Sequence, residues 1–175
     1  YLGYFIERKG LKHLIKAFEM IDNKQTRLIL VGKGPEESSL KTMTNDERII
    51  FPGFKRGQEK NEYLKMADIF VLPTLHDPWG LVVNEAMYFK NPIITTTGAG
   101  SSVELVHDGE NGYAVEPGNK QPLYEKLSQL IQSPRLRVKM GKKSQEIIKK
   151  YDLKYARNAF ESSIEHALKN FSGSN

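Results

Sequence analysis

Short unbroken apolar runs alternate along this chain with longer stretches whose apolar residues recur every three or four positions. That alternation restricts the fold more than any other feature. The strand candidates are residues 1–5, 27–31, 49–54, 69–73 and 93–97, with 112–115 a weaker sixth. Each is continuously apolar rather than alternating, as strands covered on both faces should be. Between them, Leu11, Leu14, Ile15 and Phe18 follow the i, i+3, i+4, i+7 spacing of one helix face. Another helix is expected after Pro35, and others over 59–67 and 81–89. Beyond Val115 the pattern is wholly helical. Leu123, Leu127, Leu130 and Ile131 form a stripe ending near Ser133-Pro134, followed by a lysine-rich helix with Val138, Ile147 and Ile148. A third helix would carry Ala156, Ala159, Phe160, Ile164, Ala167 and Leu168, with 172–175 a disordered tail. The spacing therefore predicts one Rossmann-like α/β domain over 1–171. It would have a parallel sheet of about six strands, helices on both faces and extra C-terminal helices.

Composition narrows the chemistry. At 175 residues the chain fits one domain, and the absence of cysteine removes disulfides, thiol catalysis and cysteine zinc sites. The 26 Lys and Arg against 21 Asp and Glu leave a net charge of +5, mild and spread along the chain. Such an excess suits an anionic small ligand or a membrane surface as well as nucleic acid. No apolar run approaches the ~20 residues of a membrane span, and no signal peptide is visible. The chain opens on strand-like residues at Tyr1 and reads as an excised domain, expected in the cytoplasm or at the cytoplasmic face of a membrane. Lys139, Lys142, Lys143, Lys149 and Lys150 form a solvated helix face or, alternatively, a contact with anionic lipid.

In an open parallel sheet, ligands bind beyond the carboxyl ends of the strands. Four loops are candidates there. Residues 3–10 place Arg8 and Lys9 beside Gly10 at a helix entrance, an anion seat or a charged surface turn. Gly32-Lys33-Gly34-Pro35 is no G-x-G-x-x-G, so the dinucleotide fingerprint fails, and turn glycines before a helix account for it. The third loop, His76-Asp77-Pro78-Trp79-Gly80, runs into a helix with Asn84 and Glu85 among apolar neighbours. That helix is expected to be packed nearly all round, and Glu85 then needs hydroxyls or cations around it. Gly80 permits close backbone approach of a phosphate to the helix start, whereas Asp77 also suits a turn, Trp79 a core anchor and His76 a plain loop position. The fourth loop, Thr95 to Glu104, has two glycines, Gly98 and Gly100, and the pair Ser101-Ser102, which can wrap a phosphate, although Ser101 and Glu104 also read as an S-x-x-E capping box.

Together these segments resemble the C-terminal half of retaining GT-B glycosyltransferases of glycosyltransferase family 4. Asp77-Pro78-Trp79-Gly80-Leu81-Val82-Val83-Asn84-Glu85-Ala86-Met87 is similar to that family's E-P-F-G-x-x-x-x-E-A-M segment. Residues 3–10 resemble its G-R-L-x-x-x-K-G loop, and Val31-Gly32-Lys33-Gly34-Pro35 its V-G-x-G-P turn. Phe51-Pro52-Gly53-Phe54, the Ala67–Thr74 run, Gly98 to Glu104 and Asp108 to Gly112 continue the match in one order over about residues 1–168.

The resemblance implies a domain that binds a nucleoside-diphosphate sugar (UDP-, GDP- or ADP-linked) for retaining transfer of a hexose such as mannose or glucose. The acceptor would be a saccharide or lipid-linked glycan bound through a separate N-terminal half, without which the domain would be inactive. It implies that Glu85 bonds the ribose hydroxyls, Asp77 the sugar hydroxyls and Lys9 the diphosphate. The backbone of Gly80, Leu81 and Val82 would bind phosphate, and Phe51, Gly53 and Phe54 would flank the base. Gly3, Tyr4, Arg8, Gly32, Gly34 and Trp79 complete the implied donor site, with Lys9 and Asp77 its catalytic members. No cofactor is implied, and no D-x-D triplet calls for a metal. Two positions depart from the family: Asp77 stands for a glutamate one methylene longer, and Tyr4 for an arginine on the diphosphate, a loss that Arg8 could offset. Those departures also admit a non-catalytic nucleotide-binding or scaffold module. A glycoside hydrolase using Asp77 and Glu85 is disfavoured by their poor opposition, and a nicotinamide oxidoreductase by the missing glycines.

Overall fold

A computed structural model describes residues 1–151; the third C-terminal helix and the tail expected from the sequence lie outside the described residues. The elements run β1 (Leu2–Tyr4), α1 (Leu11–Glu19), β2 (Leu28–Lys33), α2 (Glu37–Thr42), β3 (Ile49–Gly53), α3 (Gly57–Met66) and β4 (Phe70–Leu72), then α4 (Val82–Tyr88), β5 (Ile93–Thr96), α5 (Gly100–Leu105), β6 (Gly112–Val115), α6 (Lys120–Gln132) and α7 (Pro134–Ile148). All six predicted strands form, and every pairing between them is parallel. The fold is a Rossmann-like α/β domain with helices on both sides of its strands and a helical C-terminal layer.

One expectation needs correction. The strands form two three-stranded sheets, β1-β2-β3 and β4-β5-β6, rather than one sheet of six. β1 is three residues long and places its whole ladder on β2, from Leu2 opposite Val31 to Tyr4 opposite Lys33, while β4 pairs with β5. Between the halves lies a cavity of about 610 Å³ whose lining includes Tyr1, Leu2, Val31, Phe70, Val71 and Leu127. The halves are joined past the strand ends instead. The Arg8 carbonyl accepts from Leu75 N–H at 2.7 Å and from the Thr74 hydroxyl at 2.8 Å.

Helix ends follow local chemistry. Asn119 caps α6 by accepting from Gln121 N–H. Ser133 ends α6 and caps α7 by accepting from Leu136 N–H, with Pro134 in the first turn where its missing N–H costs nothing. The core gathers Leu14, Ile15 and Phe18 of α1, Ile93 and Ile94 of β5, Leu127 and Leu130 of α6, and Met140 and Ile147 of α7. The predicted stripe of α1 is buried, as are Leu123, Leu127 and Leu130 of α6 and Ile147 of α7, whereas Val138 of α7 is 60% exposed.

Candidate functional site

The predicted loops meet at the carboxyl ends of β1 and β4. After β1 the chain makes a single 3-10 turn over Glu7–Lys9 and enters α1 through Gly10 at φ +65. A Cβ at Gly10 would overlap the Pro73 carbonyl oxygen, so this glycine lets the first loop touch the end of β4. The touching loop, 74–80, is held from behind by buried threonines. Thr95 Oγ1 donates to the Leu72 carbonyl at 3.1 Å, and Thr96 Oγ1 donates to that of Thr74. Both threonines open the fourth loop, and their bracing role has no local signal, since a Thr run at a strand end looks like ordinary β propensity.

The two acids at either end of the 77–85 segment each hold a lysine. Lys9 Nζ donates to Asp77 Oδ2, a pair with both side chains largely withdrawn from solvent. Asp77 is 8% exposed and is approached at 3.4 Å by Trp79 N–H, so its short side chain turns back over its own loop. Lys60 Nζ, from α3, donates to Glu85 Oε1 at 2.7 Å. The expectation that Glu85 needs a cation is thus met by a residue that sequence reasoning missed. Lys60 lies 25 positions away in a helix whose charges look uniformly solvated, so no local signal marks it.

Arg8 and Tyr4 occupy different surroundings. The Arg8 side chain is exposed and donates from Nη1 to the His76 carbonyl at 3.1 Å, bracing the loop pair. Tyr4 stands open at the end of β1, 54% exposed, and its carbonyl accepts the Tyr1 hydroxyl at 3.0 Å. The Tyr1 hydroxyl is raised above the ordinary tyrosine range by burial first and by the Asp77 charge second.

The glycines divide by what they touch. Gly80, at φ +82, has the Leu72 side chain 2.7 Å from where a Cβ would sit, and it leads to the unpaired N–H groups of a helix start at Leu81 and Val82. A Cβ at Gly32 would overlap the Gly3 carbonyl oxygen, and one at Gly34 that of Phe5, so both serve close packing of the first two strands and the loop after β1. Gly98 and Gly100 likewise abut the carbonyls of Leu75 and Pro78. The fourth loop therefore wraps the third loop, not an open space, and Gly100 N–H and Ser101 N–H donate to Asp77 and Trp79 carbonyls at 3.0 Å.

Three local expectations change. Ser101 and Glu104 form no capping box, because α5 begins a residue early, at Gly100, which leaves the buried Ser101 hydroxyl inside the helix without a partner. The α4 helix is not packed all round: Val83, Ala86 and Met87 are buried, while Leu81 is 71% exposed and Tyr88 lies open. On the base side, Phe51 turns inward against Phe5, edge to face at 6.3 Å, whereas Phe54 is 57% exposed beneath Lys33 Nζ at 5.2 Å, with Gly53 at φ +80 setting the turn between them. Trp79 packs on the core and donates from its indole to Asn84 Oδ1 at 3.0 Å, which fits the anchor reading. Among the described residues no group of three or more His, Asp or Glu side chains comes together to hold a metal.

Loops gathering cations, acids and a glycine-led helix start thus lie together at the carboxyl ends of parallel strands, where open α/β sheets bind their ligands. The chain belongs to the glycosyl transferases group 1 family, whose pattern matches residues 1–147. It is 28% identical over 151 residues to the lipopolysaccharide core biosynthesis glycosyltransferase LpsE of Rhizobium meliloti, covering 84% of this chain and 43% of that protein. It thus spans less than half the length of such curated relatives. Among solved structures, it is similar to the C-terminal domain of a group 1 family glycosyl transferase, LpcC of Francisella tularensis, with a TM-score of 0.80 and 28% identity over 87% of this chain and 84% of that one. HepE of Anabaena, solved in complex with UDP, shares the fold with a TM-score of 0.83 and 23% identity over 94% of this chain and 47% of that one.

Proposed function

We propose that this domain binds the nucleoside-diphosphate sugar of a retaining hexosyltransferase, and that Lys9, Asp77, Gly80 and Glu85 carry that binding. The supporting observation is the meeting of the first and third loops, which brings Lys9 onto Asp77 ahead of the Gly80 helix start. The HepE complex with UDP-glucose supports a UDP-hexose as the donor class.

Lys9 supplies positive charge at the diphosphate. An incoming diphosphate exchanges one anionic partner of Lys9 for another and frees Asp77 to accept sugar hydroxyls. The N–H groups of Gly80, Leu81 and Val82 add donors that need no reorganisation as charge develops on the leaving group. Phe54 gives the base an apolar face, and Glu85 accepts from the ribose hydroxyls. Arg8, tied to the His76 carbonyl through Nη1, keeps the two loops together and has further N–H donors for the diphosphate. Transfer itself needs the acceptor-binding half, so the isolated chain binds donor without turning it over. The acceptor is a saccharide or lipid-linked glycan, and no metal or other cofactor takes part.

A thermal-shift panel with UDP, GDP, ADP and NAD at millimolar concentration tests this reading. One nucleoside diphosphate should raise Tm by several degrees, since ligand at ~100 times its Kd adds ~2.7 kcal/mol. Silence from all three diphosphates overturns donor binding, and a response to NAD alone points to oxidoreductase chemistry.

A further inference from the structure

Lys60 and Glu85 form an ion pair between two helices that is only partly withdrawn from solvent. The ammonium meets the carboxylate at 2.7 Å through Oε1, from α3 to the first turn of α4. Neither group is buried: the lysine side chain is 25% exposed and the glutamate 40%. No other hydrogen-bond partner of either side chain appears among the described residues, so Oε2 and two ammonium protons remain unengaged. The other lysine of α3 differs. Lys65 joins Glu62 of its own helix with both side chains more than half exposed, the ordinary solvated arrangement.

A free carboxylate oxygen beside free ammonium protons suits a group that donates and accepts at once, and a sugar hydroxyl is one. A hydroxyl donates one proton and accepts on its lone pairs, so it can donate to Glu85 and accept from Lys60 at once. An amine cannot accept from the lysine when charged, and a carbonyl cannot donate to the glutamate. Because both partners are charged, each such bond is stronger than a neutral one, and a site built to bond a hydroxyl rejects the analogue lacking it.

We propose that Lys60 is a specificity-determining residue that reads a ribose hydroxyl together with Glu85, and so selects ribonucleotide over 2′-deoxyribonucleotide donors. This rests on the donor-binding reading of Glu85 and adds the residue that accompanies it. The lysine keeps its ion pair and gives a second N–H to the sugar oxygen, so nothing needs to be displaced for the nucleotide to enter.

The test is calorimetric titration of the chain with UDP, GDP and ADP and with their 2′-deoxy counterparts, in the wild type and in Lys60→Met and Lys60→Arg. The wild type should prefer the ribonucleotide it binds over its deoxy analogue. Lys60→Met should weaken the ribonucleotide by about 5- to 20-fold while changing the deoxy analogue little, so that the preference collapses. Lys60→Arg should restore much of it. Equal weakening of both nucleotides by Lys60→Met, with a lowered Tm, would mark a brace and overturn the proposal. Unchanged or tighter ribonucleotide binding by that variant would overturn it as well. If the wild type binds none of the six nucleotides, the donor-binding reading itself has failed and takes this inference with it.

Discussion

The two halves of the strand layer differ in how they are covered. In β4, β5 and β6 every residue but Ala114 is buried, and the ladders run from Phe70 opposite Ile93 to Thr96 opposite Val115 without a break in register. In β1 and β3 most residues are only half-buried, and the β2–β3 ladder slips between Ile29 opposite Ile50 and Val31 opposite Gly53. Pro52 falls inside that slip. A proline has no N–H for the ladder and is tolerated in edge strands and at bulges, which is where β3 lies. The closed half acts as the scaffold: its strand ends hold the 74–80 loop in place through Thr95 and Thr96. The open half presents Tyr4, Lys33 and Phe54 to solvent. A rigid, doubly covered sheet thus positions the acids, and a looser one offers the surface a base would lie against.

Substitutions that probe burial should separate the halves most sharply. Ile94→Ala in β5, at a position with no exposure, should cost about 3–5 kcal/mol of unfolding free energy, while Ile50→Ala in β3, at 40% exposure, should cost under about 1. Equal losses in denaturant titrations would erase the distinction between scaffold and open half.

The smaller effect lies at the foot of the open half. Arg48 donates to Asp46 at 2.6 Å and to the Ile21 carbonyl at 2.6 Å, and its guanidinium lies 4.9 Å from the Phe18 ring centroid. The Arg48 bond holds the Asp46 carboxyl below the usual carboxylate range. Arg48→Ala should cost about 1–2 kcal/mol. Part of the wild-type advantage should disappear as pH falls through the lowered Asp46 pKa, since the protonated acid no longer pairs with Arg48.

Which parts of the molecule could be read in advance follows from the range of the forces involved. The strands and the amphipathic faces were legible because period and apolar run length are local properties, and α1 buries Leu11, Leu14, Ile15 and Phe18 as its spacing predicts. Gly10 and Gly80 were legible as special positions because a turn into a helix asks for a left-handed residue, and both adopt positive φ. The capping box at Ser101 was misread for the same local reason: the motif is present, but contacts of Gly100 and Ser101 N–H with the 77–79 loop start the helix one residue sooner.

The order of the elements and the segments that carry the acids were determined by the sequence alone, since each is written within a few residues of itself, and the strand–helix alternation implies their parallel sense; the strands at 1–5 and 69–73 prove shorter, at Leu2–Tyr4 and Phe70–Leu72. Only the tertiary structure decided that the strand layer divides at β1 and β4, that Phe51 turns inward while Phe54 faces out, and that Lys60 comes to Glu85. Each of these is settled by contacts between residues distant along the chain. Side chains of one type compete there for the same neighbour, and which one arrives depends on backbone placement rather than on residue type.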